Sequence, residues 1–331
     1  MRHPPRIAAL LSVLALAGCG PHDPRAGAPH SVGLAGPSDT LYLVDVAPGH
    51  LTTVDVSTGA TRTRKVAELS PGDPPYSVAI AGGRLVLYGG DQTSTIGLDL
   101  REPARSLGDS WFFLPSAAPG RVWLALLDPR SPDTVRALRG VREVTVTGRV
   151  TLARSARPPR WPSAALDTGL VLQTVGGLEL WDPATGRILR ALPGLFPVAA
   201  RGSRLVSCGR GCPILFVTDT RTGARTQIAP GRGFDFEETY GGAFSPDGSQ
   251  LAVPAIARGG TRRVALVDVR ARAATLIPGP SLGVDDQITW SPTGWLYFYA
   301  GAGRLAAYRP GRPSARLLTT RVAPFTKMVA T

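Results

Sequence analysis

The chain has 331 residues, of which 43% are hydrophobic, and its 37 basic residues outnumber 24 acidic ones to give a formal net charge of +13. Its 39 Gly and 31 Pro follow no regular period, so the composition excludes a collagen-like or low-complexity chain and indicates a globular core. Only four His and three Cys are present, which narrows the catalytic and metal chemistry that the chain can support.

The N-terminus has the pattern of an export signal. Arg2 and Arg6 precede an apolar run from Ile7 to Leu16, which has the length of a signal-peptide core and is too short to span a bilayer. The run leads into Leu-Ala-Gly-Cys, which resembles the lipobox of bacterial lipoproteins. The resemblance implies removal of residues 1–18, attachment of acyl chains to Cys19, and a position on the cell membrane facing outside the cytoplasm. An ordinary secretory signal is the alternative.

Residues 19–37 are rich in Pro, Gly, Ala and Ser without an apolar period, which predicts a flexible tether ahead of a folded domain over residues 38–331. Loss of Arg2 and Arg6 with the signal would leave a strongly basic chain. In an exported protein this charge favours contact with anionic headgroups or acidic envelope polymers. The alternative is a scatter of Arg with no dedicated face. Nucleic acid is not an expected partner in that compartment.

One corner recurs along the folded domain. It reads VDVSTGATRTRKV from Val54, LWDPATGRILRAL from Leu180, VTDTRTGARTQIA from Val217 and VDVRARAATLIPG from Val267. The Asp side chain can accept hydrogen bonds from backbone N–H groups two residues on, and Gly supplies the positive φ that the turn needs. The recurrence predicts a repeated sheet unit with its third and fourth strands joined at this corner.

A second corner carries a family resemblance. AFSPDGSQLAV from Ala243 and TWSPTGWLYFY from Thr289 resemble the repeats of bacterial TolB-type and WD40-like propellers, and the VD/WD-x-x-TG corners are similar to those of WD40 and YVTN propellers. The resemblance covers residues 39–331 and implies an all-β propeller. It says nothing about activity, and the Gly-His dipeptide of WD40 repeats does not recur with the repeat.

First strands of the repeat are predicted near Tyr76, Trp111, Trp161, Phe196, Tyr240 and Gln287. The terminal PFTKMVAT, from Pro324, has the pattern of a first strand without partners, and TLYLVDV, from Thr40, that of a second strand without a first. Joined, they close a ring of seven blades of about 42 residues each. Six or eight blades are the alternatives, because the two corner motifs are hardest to identify in residues 111–155.

The folded domain contains few side chains that commonly act in catalysis. His3, His22 and His30 lie in the signal and the tether, so only His50 belongs to the folded domain, where a surface turn is expected. The sequence therefore argues against metallohydrolase, serine hydrolase and haem chemistry, each of which relies on His. We assign no catalytic residue.

Cys208 and Cys212 occupy a Gly-rich loop of the fifth blade. Disulfides persist in an exported protein, and lipid on Cys19 would leave this one pair. We predict a structural disulfide. A redox-active pair and two metal ligands are the alternatives, although the spacing is not that of CxxC redox sites.

Acidic residues precede several of the predicted first strands, at the expected mouth of the central channel: Asp73, Asp109, Asp235, Glu237, Glu238, Asp285 and Asp286. A ring of this kind could hold Ca²⁺, and no other cofactor is expected. It could instead hold a cationic ligand or peptide segment beside the aromatic rings of residues 234, 236 and 240. The alternative is that acidic residues simply favour solvated loops.

Two functions follow from this reasoning. The first is a monomeric, lipid-anchored, non-enzymatic interaction module that binds an envelope protein, peptide or polymer. The second is an exported propeller enzyme (a metal-dependent hydrolase, lyase or lactonase-like enzyme) acting at the channel mouth, which the fold alone does not exclude. The shortage of catalytic groups favours the first.

Overall fold

The computed structural model describes residues 37–45, 49–66, 77–127, 138–155, 160–238, 241–283 and 287–331. The chain divides into two units, residues 1–36 and Pro37–Thr331, and every described residue belongs to the second. The regular elements of the described residues are all β-strands. This part of the chain therefore contains no apolar helix of membrane-spanning length.

The strands form seven small antiparallel sheets, which we number as blades one to seven. Blade one contains β1 (Thr40–Asp45), β2 (His50–Asp55), β3 (Thr61–Lys65) and the last strand of the chain, β29 (Phe325–Ala330). Blade two contains β4 (Ser77–Ala81), β5 (Arg84–Gly89), β6 (Gln92–Gly97) and β7 (Arg105–Asp109). Blade three contains β8 (Phe112–Pro115), β9 (Arg121–Leu127), β10 (Leu138–Thr145) and β11 (Val150–Ser155). Blade four contains β12 (Trp161–Leu166), β13 (Gly169–Thr174), β14 (Gly177–Asp182) and β15 (Arg187–Pro193).

The other three blades follow the same plan. Blade five contains β16 (Phe196–Arg201), β17 (Arg204–Cys208), β18 (Leu215–Asp219) and β19 (Arg225–Ile228). Blade six contains β20 (Phe234–Phe236), β21 (Ala243–Phe244), β22 (Gln250–Ala257), β23 (Arg262–Asp268) and β24 (Ala273–Leu276). Blade seven contains β25 (Ile288–Trp290), β26 (Leu296–Tyr299), β27 (Arg304–Tyr308) and β28 (Arg316–Arg321).

The ring closes through blade one, where the C-terminal strand is the inner strand. β29 pairs antiparallel with β1, Leu41 opposite Ala330 and Val44 opposite Lys327. The inner strands of successive blades are neighbours, and β29 lies between β25 of blade seven and β4 of blade two. The protein is therefore a seven-bladed β-propeller, and the alternatives of six and eight blades are excluded.

The core is divided among the blade interfaces. Each of seven buried apolar clusters takes its residues from two neighbouring blades. Trp123 and Trp181 pack between blades three and four, and Trp290 packs between blades six and seven. These Trp side chains fill the space between blades, where the apolar faces of adjacent sheets must be covered.

The recurring corner has the predicted chemistry. Asp55 Oδ1 accepts hydrogen bonds from the N–H groups of Ser57 and Thr58, each at 2.9 Å. Asp219 Oδ1 does the same for Arg221 and Thr222, at 2.9 and 3.1 Å. The Gly that follows each corner has a positive φ, +74° at position 59 and +80° at position 223.

Blade six has one short strand that the sequence did not predict. The predicted inner strand near Tyr240 corresponds to β21, which begins at Ala243 and contacts the inner strands β16 and β25. An additional strand, β20, also pairs with β22. It begins at Phe234, because Phe234 and Phe236 are buried while Asp235 between them is exposed. This alternation is the signature of a half-buried strand, and it places Asp235 on a strand instead of in the entry loop.

Candidate binding face

The face at which the inner strands begin is termed the upper face. It also carries the turns between second and third strands, at residues 90–91, 175–176, 209–214 and 258–261. The opposite face, with the turns after the inner strands at residues 82–83, 202–203, 245–249 and 291–294, is termed the lower face.

Those of the predicted acidic residues that the structure describes are spread over the upper face. Asp73, Asp285 and Asp286 lie outside the described residues. Asp109 is the exposed last residue of β7, the outermost strand of blade two. Asp235 is exposed on β20, opposite Ile256. Within the described ranges, no three His, Cys, Asp or Glu side chains lie close enough together to hold a metal ion.

Glu237 is held by an arginine of the same blade. Arg262 Nε lies 2.9 Å from Glu237 Oε2 and 3.1 Å from Oε1, and Arg262 Nη1 donates to the carbonyl of Gly283 at 2.6 Å. The two side chains are only 20% and 24% exposed. Because the pair is partly withdrawn from water, it fixes the segment that follows β20 more firmly than a surface ion pair would.

Glu238 contacts the disulfide loop. Cys208 and Cys212 form the predicted disulfide between β17 and β18, and both are 1% exposed. Glu238 Oε2 accepts a hydrogen bond of 2.6 Å from the N–H of Gly211, inside that loop. The carboxylate therefore joins blade six to blade five, a contact that the sequence did not indicate.

A second charged pair lies at the start of blade four, beside two tryptophans. Arg160 Nε is 2.7 Å from Glu179 Oε2. The rings of Trp111 and Trp161 have centroids 4.6 Å apart, at an angle of 59°. Sequence reasoning missed Glu179, although its position between buried Leu178 and Leu180 indicates a side chain that points away from the apolar face.

An apolar cavity of about 260 Å³ opens along the inner strands of blades three to six. Small or apolar residues line it: Leu114, Pro115, Ser163, Ala164, Ala165, Pro197, Val198, Ala199, Ala200 and Gly242. The Ser163 hydroxyl donates to the carbonyl of Val171 at 3.1 Å, so it is already engaged. None of these lining residues is a titratable acid or base, and the cavity suits contact with an apolar group better than proton transfer.

One large apolar side chain of the upper face is almost fully exposed to solvent. Val175, in the turn between β13 and β14, is 95% exposed. Ile256, near the end of β22, is 39% exposed on the same face. Both side chains are open to contact with another molecule.

His50 is the first residue of β2 and is half-buried, whereas the sequence predicted a surface turn. Asp45 lies nearby at the end of β1 and is 6% exposed. Burial raises the pKa of the Asp45 carboxyl, against the hydrogen bond from Thr52 and the charge of His50, which lower it.

No protein-family model matches the chain, and no curated protein matches it in sequence. Solved structures do match its fold. TolB from Acinetobacter baumannii superposes with a TM-score of 0.53 at 14% identity, over 88% of this chain and 66% of that one. AztD from Citrobacter koseri gives 0.52 at 13% identity, over 88% and 97%. The WD40 β-propeller domain of Doa1 gives 0.53 at 10% identity, over 83% and 90%. At these identities the likeness shows the propeller fold alone.

Proposed function

We propose that the protein is a lipid-anchored interaction module on the outer side of the cell membrane. Acyl chains on Cys19 hold it there, and the upper face of the propeller binds a protein, peptide or polymer of the envelope. The lipobox-like Leu-Ala-Gly-Cys sequence supports the anchor. The arrangement of charged and apolar groups on the upper face supports the binding role.

The observation that carries the binding role is the exposure of Val175 on a face where the charged side chains are paired with one another. Val175 is almost fully exposed, while Arg160, Glu179, Glu237 and Arg262 are engaged with one another in pairs. Charges held in this way shape and stabilise loops, and they are not poised to transfer protons to a substrate. An exposed apolar contact within a rigid polar frame is what a partner surface requires.

Site-specific photocrosslinking in cells that make the protein tests the binding role. Photoreactive residues at positions 175, 210 and 235 of the upper face are compared with positions 185 and 249, exposed on the opposite face. We expect one discrete adduct from the upper positions and none from the lower pair. Equal labelling from both faces, or no adduct from any position, would contradict the proposal.

The anchor is tested separately, so that its failure is distinguishable from failure of the binding face. The substitution C19A removes the predicted lipidation site and should release the protein from the membrane fraction. A C208A/C212A variant is the matched control, because it removes the other cysteines and should stay with the membrane. If C19A remains membrane-bound, the lipid anchor is wrong while the upper-face proposal stands.

A further inference from the structure

Three arginines surround one tryptophan on blade seven. The guanidinium carbons of Arg309, Arg312 and Arg316 lie 5.8, 5.2 and 5.8 Å from the ring centroid of Trp295. Trp295 is 3% exposed, so the guanidinium groups cover a ring that is otherwise packed between blades seven and one. Arg309 and Arg312 lie in the turn between β27 and β28, and Arg316 begins β28.

This arginine cluster has no acidic partner within the described part of the chain. None of its members forms an ion pair there, and Nη2 of Arg312 is buried without a hydrogen-bond partner. Asp39 contacts the same blade, but hydroxyl groups of Thr293 and Tyr297 already bind its two oxygens, at 2.7 and 2.5 Å. Three positive charges gathered on one ring repel one another unless an anion lies between them.

Attraction to the indole ring of Trp295 offsets part of the repulsion among the three guanidinium groups. Each guanidinium lies within about 6 Å of the indole centroid, the range in which a ring face attracts a cation. Packing against the ring also restricts the side chains before a ligand arrives, which lowers the entropy cost of binding. The free N–H groups are therefore partly preorganised, and their planar forks match the oxygens of a phosphate group.

We propose that Arg309, Arg312 and Arg316, backed by Trp295, form a binding site for a phosphate group. The site is on the lower face and is independent of the upper-face interaction. It lies on the blade that Asp39 joins, close to where the chain enters the propeller. Anionic phospholipid headgroups and soluble phosphates share this chemistry, and vesicle binding separates them.

Calorimetric titration of the full chain with inorganic phosphate, at constant ionic strength maintained with chloride, measures the site. The variant R309Q/R312Q/R316Q is compared with R187Q/R258Q/R270Q, which removes the same charge from exposed arginines of blades four and six. We expect saturable binding to the parent protein and to the control, and at least a tenfold loss of affinity in the cluster variant. Equal loss in both variants, or unchanged binding in the cluster variant, would overturn the proposal.

Folding is monitored through the thermal midpoint without phosphate. Should the triple variant fail to fold, the conservative R312K replaces it: the charge is kept and the planar fork is lost, so affinity should fall by several-fold at an unchanged midpoint. Full affinity in R312K would count against the site.

Vesicle binding distinguishes an anionic phospholipid headgroup from a soluble phosphate as the ligand. The C19A chain, which lacks the predicted lipidation site, is mixed with phosphatidylcholine vesicles with and without phosphatidylglycerol. Binding that requires both phosphatidylglycerol and the arginine cluster identifies a lipid headgroup as the ligand. Phosphate binding with no cluster-dependent vesicle binding identifies a soluble phosphate.

Discussion

The carboxylate of Asp39 accepts a hydrogen bond of 2.5 Å from the hydroxyl of Tyr297, which joins residues 258 positions apart. Its other oxygen accepts one of 2.7 Å from Thr293. Asp39 is 3% exposed and directly precedes β1, so a buried charged group bonds blade one to blade seven at the seam of the ring. Burial and the adjacent carboxylate both raise the pKa of the Tyr297 phenol, which therefore stays protonated and able to donate.

We expect D39A to lower the free energy of unfolding by about 3 kcal/mol, because two buried hydroxyl groups lose a charged acceptor. Y297F removes one of these bonds and should cost about 1.5 kcal/mol. Denaturant unfolding of both variants and of the double variant D39A/Y297F gives the coupling energy. Strictly additive costs would show that the Asp39–Tyr297 bond does not stabilise the seam.

Deletion of residues 324–331 should abolish the monomeric fold. The deletion removes β29, leaves β1 without its inner neighbour and exposes the cluster that contains Phe325 and Met328. Size-exclusion chromatography and near-UV circular dichroism would report an unfolded or oligomeric chain. The milder F325A should leave a folded protein destabilised by about 3–5 kcal/mol. A truncated chain that stays monomeric and native-like would contradict this role of β29.

Removal of the disulfide should destabilise the protein by about 2 kcal/mol, since the loop it closes is short. The variant C208A/C212A and the reduced parent protein should show the same loss in urea unfolding. E238Q weakens only the hydrogen bond to Gly211 and should cost less than either. A further loss on adding reductant to C208A/C212A would point to an effect unrelated to this bond.

Acid should weaken the corner at residues 245–249. The Ser245 hydroxyl first, and then the Ser249 hydroxyl and backbone N–H, lower the pKa of Asp247 to about 2. A carboxyl whose folded pKa is depressed contributes stability above its unfolded value of about 3.9 and loses it as pH falls through the folded value. The thermal midpoint should therefore fall between about pH 4 and pH 2, and less steeply in D247N. D109N, an exposed aspartate on the other face, is the control and should follow the parent curve.

Calcium should have little effect on stability. Glu237 and Glu238 are engaged by Arg262 and by the N–H of Gly211, so they offer few free oxygens to a cation. Thermal unfolding of the metal-stripped chain with millimolar Ca²⁺ should shift by less than about 1 °C. A clear rise that disappears in D285N/D286N would show that acids outside the described residues complete a cation site, and it would strengthen the enzyme alternative.

Local patterns in the sequence predicted most of the fold. The Asp-x-x-x-Gly corners identified the repeat, and the unpartnered strands at residues 40 and 324 predicted how the ring closes. The disulfide was predicted from the expected export of the chain and from the one pair of cysteines that remains beside Cys19. Strand β20 was not predicted, because the sequence analysis placed residues 234–236 in the loop before the inner strand, whereas the alternation of buried Phe234 and Phe236 with exposed Asp235 forms a strand that pairs with β22.

The site could be predicted less well, because its contacts join residues that are distant in sequence. Nothing near Glu238 indicates that its partner is the N–H of Gly211, 27 residues earlier. Nothing near Trp295 indicates that three arginines between residues 309 and 316 will cover it. Such contacts depend on how neighbouring strands and blades are placed, which no short pattern records.

The closure of blade one also determines when the protein can finish folding. Val44 of β1 meets Thr326 of β29 across 282 positions of sequence. At synthesis rates of roughly 5–20 residues per second, β1 waits for its inner neighbour for about 15–60 s. During that time it presents an open edge to any other strand. The last blade to be completed is thus the first one begun, and its exposed edge must be protected during synthesis until the C-terminal strand arrives.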